Sequence, residues 1–369
     1  MSRLVCLLVL VVGLVACAGP ERPKPVDLGP NAQLIGIRSA WSSNIGAVTI
    51  PLQIQVVGGS VFVAASNGVI AAIDGNTGSD LWRTALGTSL SAGVGSDGHY
   101  VAVVSRENEL ITVVAGKETW RQKLNALTLT TPLVAGNRVF VLSTDRSVAA
   151  FDSATGRKLW QQQRSGDALV LGQPGVLLAV GDTLVVGLGG RLVGMNPNNG
   201  NVRWEAAIAN SRGTNEVERL VDLVAGVSRV GDSVCVRAFQ SALGCVDADK
   251  GRAVWSTAAS GSTGVHGDGS LVVGAESDGK IQAWRRSDGE RLWTSERLRY
   301  RVLTAPLIAG RSLVVGDDSG TLHFLSGQDG EPLNRLSTDG SPIAAGPVLS
   351  GKTVIVVTQR GGIYGFTPE

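Results

Sequence analysis

The feature that most constrains the fold is a repeat in which a glycine is followed four residues later by a tryptophan. Five clear copies end at Trp82, Trp160, Trp204, Trp255 and Trp293. A weaker copy runs from Gly116 to Trp120, and in the copy that begins at Gly330 the tryptophan is replaced by Asn334. The repeat glycines stand at positions 78, 116, 156, 200, 251, 289 and 330, which are 38 to 51 residues apart. A period of about 40 residues is typical of β-propeller blades.

Each repeat contains four short β-patterned runs bounded by Gly, Asp or Ser. In the seventh repeat these runs cover residues 306–308, 312–316, 321–325 and 331–336. The turn before the tryptophan combines an Asp or Asn, whose side chain can accept backbone amides, with a glycine that tolerates the left-handed conformation. The tryptophan then falls on the outer strand of the blade, where its large ring can pack into the neighbouring blade.

The two ends of the chain supply an eighth repeat. Residues 347–349, 353–357 and 362–366 provide three strands before the sequence stops, and Trp41 lies 41 residues before Trp82. Pairing an N-terminal strand around Trp41 with the C-terminal hairpin closes the ring and covers two exposed sheet edges. The sequence therefore predicts an all-β protein whose residues 37–369 form an eight-bladed β-propeller with N- and C-terminal strand closure.

The N-terminus has the pattern of an export signal over residues 1–16. Arg3 is followed by an apolar stretch that is too short to span a bilayer. Residues 14–17, Leu-Val-Ala-Cys, resemble the lipobox of bacterial lipoproteins, which implies lipidation of Cys17; the alternative is an ordinary cleaved signal with a chance cysteine. Ala18 in place of an aspartate favours the outer membrane, with the protein facing the periplasm. Residues 17–36 contain Pro20, Pro23, Pro25 and Pro30 among polar residues, which predicts a tether separate from the folded body.

Processing of such a signal removes Cys6 and uses Cys17, which leaves Cys235 and Cys245. In an oxidising periplasm two remaining cysteines favour a disulfide over a metal site. They are symmetric about Gln240, the midpoint of a predicted hairpin. We therefore expect a Cys235–Cys245 disulfide.

Charge and histidine content argue against several functions. The 33 basic residues are balanced by 31 acidic ones, so the chain lacks the basic field that nucleic acid requires. His99, His266 and His323 lie in different repeats without the spacing of a metal site. We expect no metal, no nucleic acid partner and no catalytic residues.

The repeat in its best copies, residues 72–82 and 150–160, resembles that of quinoprotein dehydrogenases, which bind pyrroloquinoline quinone and calcium. Those enzymes have a vicinal cysteine pair that this chain lacks. The lipobox, proline-rich tether, eight repeats and length together resemble the BamB family of propeller lipoproteins. That resemblance implies a scaffold without enzymatic activity or cofactor. It also implies docking on the periplasmic POTRA domains of the central subunit that assembles outer-membrane β-barrels, with nascent outer-membrane proteins as further partners.

The family's docking surface consists of two segments, Leu-x-Leu-Arg and Arg-Leu-x-Asp-x-Asp. The resemblance places them here at Leu169 and Leu171 in the fourth repeat, and at Arg219, Leu220 and Asp222 in the fifth. Gly172 replaces the arginine and Val224 the second aspartate, so the chain departs from the family's pattern at two polar positions.

Two other interpretations remain open. Leu169 and Leu171 could be ordinary strand residues, and the polar insertion at 210–219 could be a tolerated loop instead of a binding element. A periplasmic quinoprotein enzyme, or a small-molecule sensor that uses the central funnel, is the alternative function.

Overall fold

Short apolar runs separated by glycine turns form the strands, as their alternation with turn residues predicts. The computed structural model describes residues 23–164, 170–210 and 220–369, and in these residues the regular secondary structure is entirely β. No helix that is long and apolar enough to cross a membrane occurs in that part of the chain.

Four strands form each blade, and the blades are numbered here so that the one joining the two termini is blade 8. The first strand, β1 (Ile37–Asn44), belongs to blade 8. Blade 1 consists of β2 (Gln55–Val57), β3 (Ser60–Ala64), β4 (Val69–Asp74) and β5 (Asp80–Ala85), and blade 2 of β6 (Leu90–Ser96), β7 (Tyr100–Ser105), β8 (Glu109–Val114) and β9 (Lys117–Lys123). Blade 3 consists of β10 (Leu133–Ala135), β11 (Arg138–Leu142), β12 (Ser147–Asp152) and β13 (Lys158–Gln163), and blade 4 of β14 (Leu177–Val180), β15 (Thr183–Leu188), β16 (Arg191–Met195) and β17 (Val202–Ala207). Blade 5 consists of β18 (Leu223–Val230), β19 (Ser233–Ala238), β20 (Ala242–Asp247) and β21 (Arg252–Ala258), and blade 6 of β22 (Val265–Gly267), β23 (Leu271–Ala275), β24 (Ile281–Arg285) and β25 (Arg291–Ser295). Blade 7 consists of β26 (Leu307–Ala309), β27 (Ser312–Gly316), β28 (Thr321–Ser326) and β29 (Pro332–Ser337). Blade 8 combines β1 with β30 (Val348–Ser350), β31 (Thr353–Val357) and β32 (Gly362–Pro368).

Blades 1 to 7 each follow one continuous stretch of chain, from an inner to an outer strand, with antiparallel neighbours. Blade 8 has the order β1-β32-β31-β30, and its register runs from Ile37 opposite Pro368 to Asn44 opposite Gly362. The predicted eight-bladed all-β propeller with closure by the two termini is therefore confirmed.

Burial differs between the strands of a blade. The middle strands are buried on both faces, as in β31, where all five residues are buried. The outer strands alternate, as in β5, where Trp82 and Thr84 are half-buried between exposed residues. This pattern follows from blades that stack face to face around the ring, with their outer strands at the rim.

The repeat tryptophans connect neighbouring blades. The ring of Trp120 in blade 2 covers Gly156 in the turn of blade 3, and its indole Nε1 donates a hydrogen bond to the carbonyl oxygen of Ser153, 2.8 Å away. The same ring-over-glycine contact recurs for Trp41 on Gly78, Trp82 on Gly116, Trp160 on Gly200, Trp204 on Gly251, Trp255 on Gly289 and Trp293 on Gly330. Because each of these glycines has a positive φ, the repeat motif serves both the turn and the contact between blades.

The tether was predicted to be separate from the folded body, but part of it packs on the propeller. Residues 26–35 lie against blade 7, where Leu28 packs on the core of blades 6 and 7 and Ile35 on that of blades 7 and 8. Proline and polar residues cannot fold alone, but an existing strand edge can hold them by backbone hydrogen bonds.

The hairpin of β19 and β20 has the register predicted from its symmetry about Gln240. Cys235 is directly opposite Cys245, with a Cα–Cα distance of 4.0 Å, and the structure joins the two residues in a disulfide. Both cysteines are fully buried.

A first prediction concerns the ring-over-glycine contact. Gly156→Ala places a methyl group 2.6 Å from the Trp120 ring at a φ of +71°, whereas Gly181→Ala meets open space at a φ of +55°. In both variants the strain of a left-handed alanine should lower the free energy of unfolding by about 1 to 2 kcal/mol. The Gly156 variant loses a further ~1 to 3 kcal/mol from overpacking. Denaturant unfolding measures the difference, and equal losses would show that the contact contributes nothing beyond the turn.

A second prediction concerns the disulfide. Mature, unreduced protein should show no titratable thiol at Cys235 and Cys245 after denaturation. Replacing both cysteines by alanine should lower the free energy of unfolding by about 2 to 3 kcal/mol, because the bond closes a short loop in the unfolded chain. Detection of two free thiols would contradict the bond.

Candidate functional site

The two segments predicted to form a docking surface lie side by side on one face of the ring. Leu169 and Arg219 lie outside the described residues, so the site is built from Leu171, Leu220 and Asp222. Leu171 precedes the inner strand of blade 4, and Leu220 and Asp222 precede that of blade 5. The connections into consecutive blades leave from the same edge of each sheet, which brings Leu171 and Asp222 together, whereas Leu220 lines a neighbouring pocket with Ile208 and Phe239.

The Asp222 carboxylate joins the two segments. Its Oδ2 accepts a hydrogen bond of 2.9 Å from the backbone amide of Leu171. Its Oδ1 lies 3.8 Å from Nη2 of Arg146. A second link is the hydrogen bond of 2.9 Å from the Ala225 amide to the carbonyl oxygen of Pro174. Asp222 therefore has an internal structural role that the sequence did not indicate.

Arg146 is a member of the site that sequence reasoning missed. It lies in the turn between β11 and β12 of blade 3, and only 15% of its side chain is exposed. It has a φ of +64°, and its Nε is buried without a hydrogen-bond partner in the described residues. Arg146 precedes Asp222 by 76 residues, so no local pattern could have linked them.

Leu171 and Leu220 are half-buried, which leaves part of each side chain accessible. Val224, at the position of the family's second aspartate, is a buried residue of β18 with 3% exposure and is not available to a partner. Gly172 is exposed and has open space where a side chain would project. The site is therefore partly apolar, and the positive charge beside Asp222 comes from blade 3 instead of from position 172.

A cleft of about 60 Å³ lies between these segments. Its lining includes Leu129, Leu142, Arg146, Val170, Leu171 and Asp222. Such a volume holds a few water molecules and is far smaller than a site for an organic cofactor.

The central funnel is larger than the cleft, with a volume of about 600 Å³. Among its described lining residues the ionisable side chains are Asp318 and His266. His266 Nδ1 lies 3.2 Å from the amide of Ile308, and burial, with the nearby charge of Arg286, lowers the pKa of His266. Within residues 23–164, 170–210 and 220–369, no group of three or more His, Cys, Asp or Glu residues could hold a metal ion.

Comparison with known proteins gives a family model and several relatives. The model described as "Outer membrane protein assembly factor BamB" matches residues 66–295. A protein of that name from Burkholderia pseudomallei is 35% identical over 365 residues, which cover 98% of this chain and 96% of that protein.

Two solved structures show the same fold. BamB from Moraxella catarrhalis has a TM-score of 0.81 at 23% identity and covers 90% of this chain and 99% of its own. Quinohemoprotein alcohol dehydrogenase from Comamonas testosteroni has a TM-score of 0.69 at 15% identity, with 94% of this chain and 78% of its own covered. At these identities the likeness concerns the propeller fold alone.

The relative from Burkholderia pseudomallei extends the family relationship beyond the region that the family model matches, to almost the whole chain. This relative and the family model together show that the chain belongs to the family of the outer membrane protein assembly factor BamB.

Proposed function

We propose that this protein is a non-catalytic scaffold for the assembly of outer-membrane β-barrel proteins. The family relationship along 98% of the chain is the observation that supports this function most directly. In the proposal the propeller docks on the POTRA domains of the central assembly subunit and presents nascent outer-membrane proteins to it.

The docking site in this proposal is the cleft between blades 3, 4 and 5, with Leu169, Leu171, Arg219, Leu220 and Asp222 as contacts. The half-buried Leu171 offers apolar surface in the cleft beside the charges of Arg146 and Asp222, and the half-buried Leu220 offers apolar surface in the neighbouring pocket. An apolar centre with a polar rim is the common anatomy of a protein interface.

Arg146 takes over the charge that Gly172 cannot provide. Its guanidinium lies beside the carboxylate of Asp222, which also holds the Leu171 amide. A partner carboxylate that approaches the cleft would therefore meet a guanidinium from blade 3. This arrangement keeps a charged contact although the family's arginine is absent.

The alternative of a quinoprotein enzyme has less support. The propeller of the quinohemoprotein alcohol dehydrogenase has the same fold as this chain, but at 15% identity a shared fold does not imply a shared function. The described lining of the funnel has one carboxylate, Asp318, and the described residues contain no group of three or more His, Cys, Asp or Glu that could hold a metal ion. The family relationship favours the assembly factor.

The proposal includes an anchor at the N-terminus. Residues 1–16 would be removed as a lipoprotein signal, Cys17 would carry the lipid, and residues 17–36 would form the tether to the propeller. Acyl chains in the outer membrane would then hold the protein on the periplasmic side. Cys17 lies outside the described residues, so this part depends on the sequence.

A third prediction tests the docking site. Leu171→Asp should weaken binding to the purified POTRA domains by about 1 to 3 kcal/mol, roughly 5- to 150-fold in Kd, because it puts a charge at the centre of an apolar contact. Leu292→Asp introduces the same change at an exposed leucine of blade 6 and should leave Kd unaltered. Titration calorimetry gives both constants.

Thermal unfolding of each variant separates binding from folding. Leu171→Ala, which removes apolar surface without adding charge, should weaken binding less than Leu171→Asp while the protein stays folded. Normal binding by both folded Leu171 variants would place the interface elsewhere on the ring.

A fourth prediction tests the anchor. Cys17→Ser removes the sulfur to which an acyl chain is attached, so the variant should leave the outer-membrane fraction and remain soluble or unprocessed. Fractionation and mass spectrometry of the N-terminal peptide measure the location and the lipid. Mature Cys17→Ser protein in the outer-membrane fraction would rule out the lipid as the anchor.

A further inference from the structure

The docked part of the tether, residues 26–35, is bound to the outer strand of blade 7 and to the connection from β25 that leads into that blade. The amide of Leu34 donates a hydrogen bond of 2.7 Å to the carbonyl oxygen of Leu333, and the amide of Val26 donates one of 3.1 Å to that of Arg299. The two contacts lie near opposite ends of the docked tether, which is therefore held along its length.

Asn334 makes this docking possible. It occupies the register position of the repeat tryptophans, opposite Phe324 on β28. Its Nδ2 donates a hydrogen bond of 2.8 Å to the carbonyl oxygen of Ile35, and its Oδ1 accepts one of 2.9 Å from Nδ2 of Asn31. The amide side chain thus pairs with the docked tether where a tryptophan would cover a glycine.

The exchange of tryptophan for asparagine has a topological reason. Each tryptophan covers the turn between the third and fourth strands of the following blade. In blade 8 those strands are β32 and β1, which belong to opposite ends of the chain and have no turn between them. The docked tether fills the place that such a turn would take.

Two arginines hold the other half of the docked tether. Arg335 donates through Nη1 to the carbonyl oxygen of Leu28 at 3.1 Å and through Nη2 to that of Gly29. Arg301 donates through Nη2 to the carbonyl oxygen of Val26 at 3.2 Å. Arg301 is itself positioned by the buried Asp317, whose Oδ2 lies 3.5 Å from its Nη1.

The docked tether begins on the same face of the ring as the candidate cleft. Arg299 and Arg301 belong to the connection from β25 to β26, which leads from the outer strand of one blade to the inner strand of the next. The cleft is built on the equivalent connections, those before β14 and β18. Because all blades have the same strand order, these connections emerge on one face.

We propose that blade 7 is a binding site for the protein's own tether and that docking of the tether there turns the cleft-bearing face of the ring toward the membrane. This inference rests on the proposed lipid at Cys17. Docking leaves nine residue steps between Cys17 and Val26, which span at most about 30 Å, whereas the twenty steps to Ile37 would span about 70 Å. The bilayer is thereby kept near the face that holds the cleft.

A fifth prediction tests the docking by hydrogen exchange of the mature protein. The amides of Val26 and Leu34 should exchange at least ~10-fold more slowly than in a free peptide of the same sequence. Asn31→Ala combined with Arg335→Ala should abolish that protection, because it removes side-chain hydrogen bonds from both the tether and blade 7. Arg311→Ala, at an exposed arginine of the same blade, should leave protection unchanged.

The exchange data decide the docking independently of any lipid. Unprotected Val26 and Leu34 amides in the wild-type protein would overturn it. If the double variant lost its cooperative unfolding transition, Asn31→Ala alone, which leaves every side chain of the propeller in place, would replace it. Protection retained in the folded variant would show that these side chains do not hold the tether.

Energy transfer to a labelled bilayer tests the orientation. Asp145→Cys and Ala154→Cys place single dyes on opposite faces of blade 3, since residue 145 lies in the turn between the second and third strands and residue 154 in the turn between the third and fourth. The lipidated protein is inserted into vesicles of phosphatidylethanolamine and phosphatidylglycerol that contain an acceptor dye. Transfer should be stronger from residue 145, and the Asn31→Ala and Arg335→Ala pair should reduce the difference between the two faces.

Equal transfer from both faces, with the docked tether protected from exchange, would overturn the orientation and leave the docking intact. Protein that carries no lipid and does not bind the vesicles would refute the anchor, and with it the orientation.

Discussion

The contact of a tryptophan with the glycine of the next blade is the interaction on which the ring depends. It joins blades in series from Trp41 of blade 8 to Trp293 of blade 6, each ring covering a turn glycine of the following blade. An indole buries a large apolar area and has one donor to place, and a backbone carbonyl of the same turn accepts it in five of these contacts. The motif therefore sets how each blade packs against the next.

The series ends where the ring closes, because closure by two chain ends removes one turn. Hydrogen bonding between β1 and β32 seals the sheet of blade 8, but it provides no glycine turn for blade 7 to cover. Asn334 and the docked tether occupy that place, with Ile35 and Ile37 packed on the core shared by blades 7 and 8. The device that closes the propeller thus also determines where the N-terminal segment leaves it.

The candidate cleft has a different construction from the ring. It joins a turn of blade 3 with the connections into blades 4 and 5 through the carboxylate of Asp222. A half-buried carboxylate that accepts an amide and lies near a guanidinium holds its loops in one arrangement without closing the surface to a partner. Rigid strands position loops that differ from blade to blade, so the same propeller fold occurs in this family of assembly factors and in a quinohemoprotein alcohol dehydrogenase.

The sequence by itself determined the repeat, the strand pattern, the closure by the termini and the register of Cys235 with Cys245, because each depends on local turn chemistry or on a fixed period. It also placed Leu171 and Asp222 in adjacent repeats. Only the tertiary structure decided that Arg146 lies beside Asp222, that Val224 is buried and that residues 26–35 lie on blade 7. The first and last of these features join residues 76 to about 300 positions apart, and such contacts leave no periodic trace in a sequence because they form only after the ring has brought distant blades and both chain ends together.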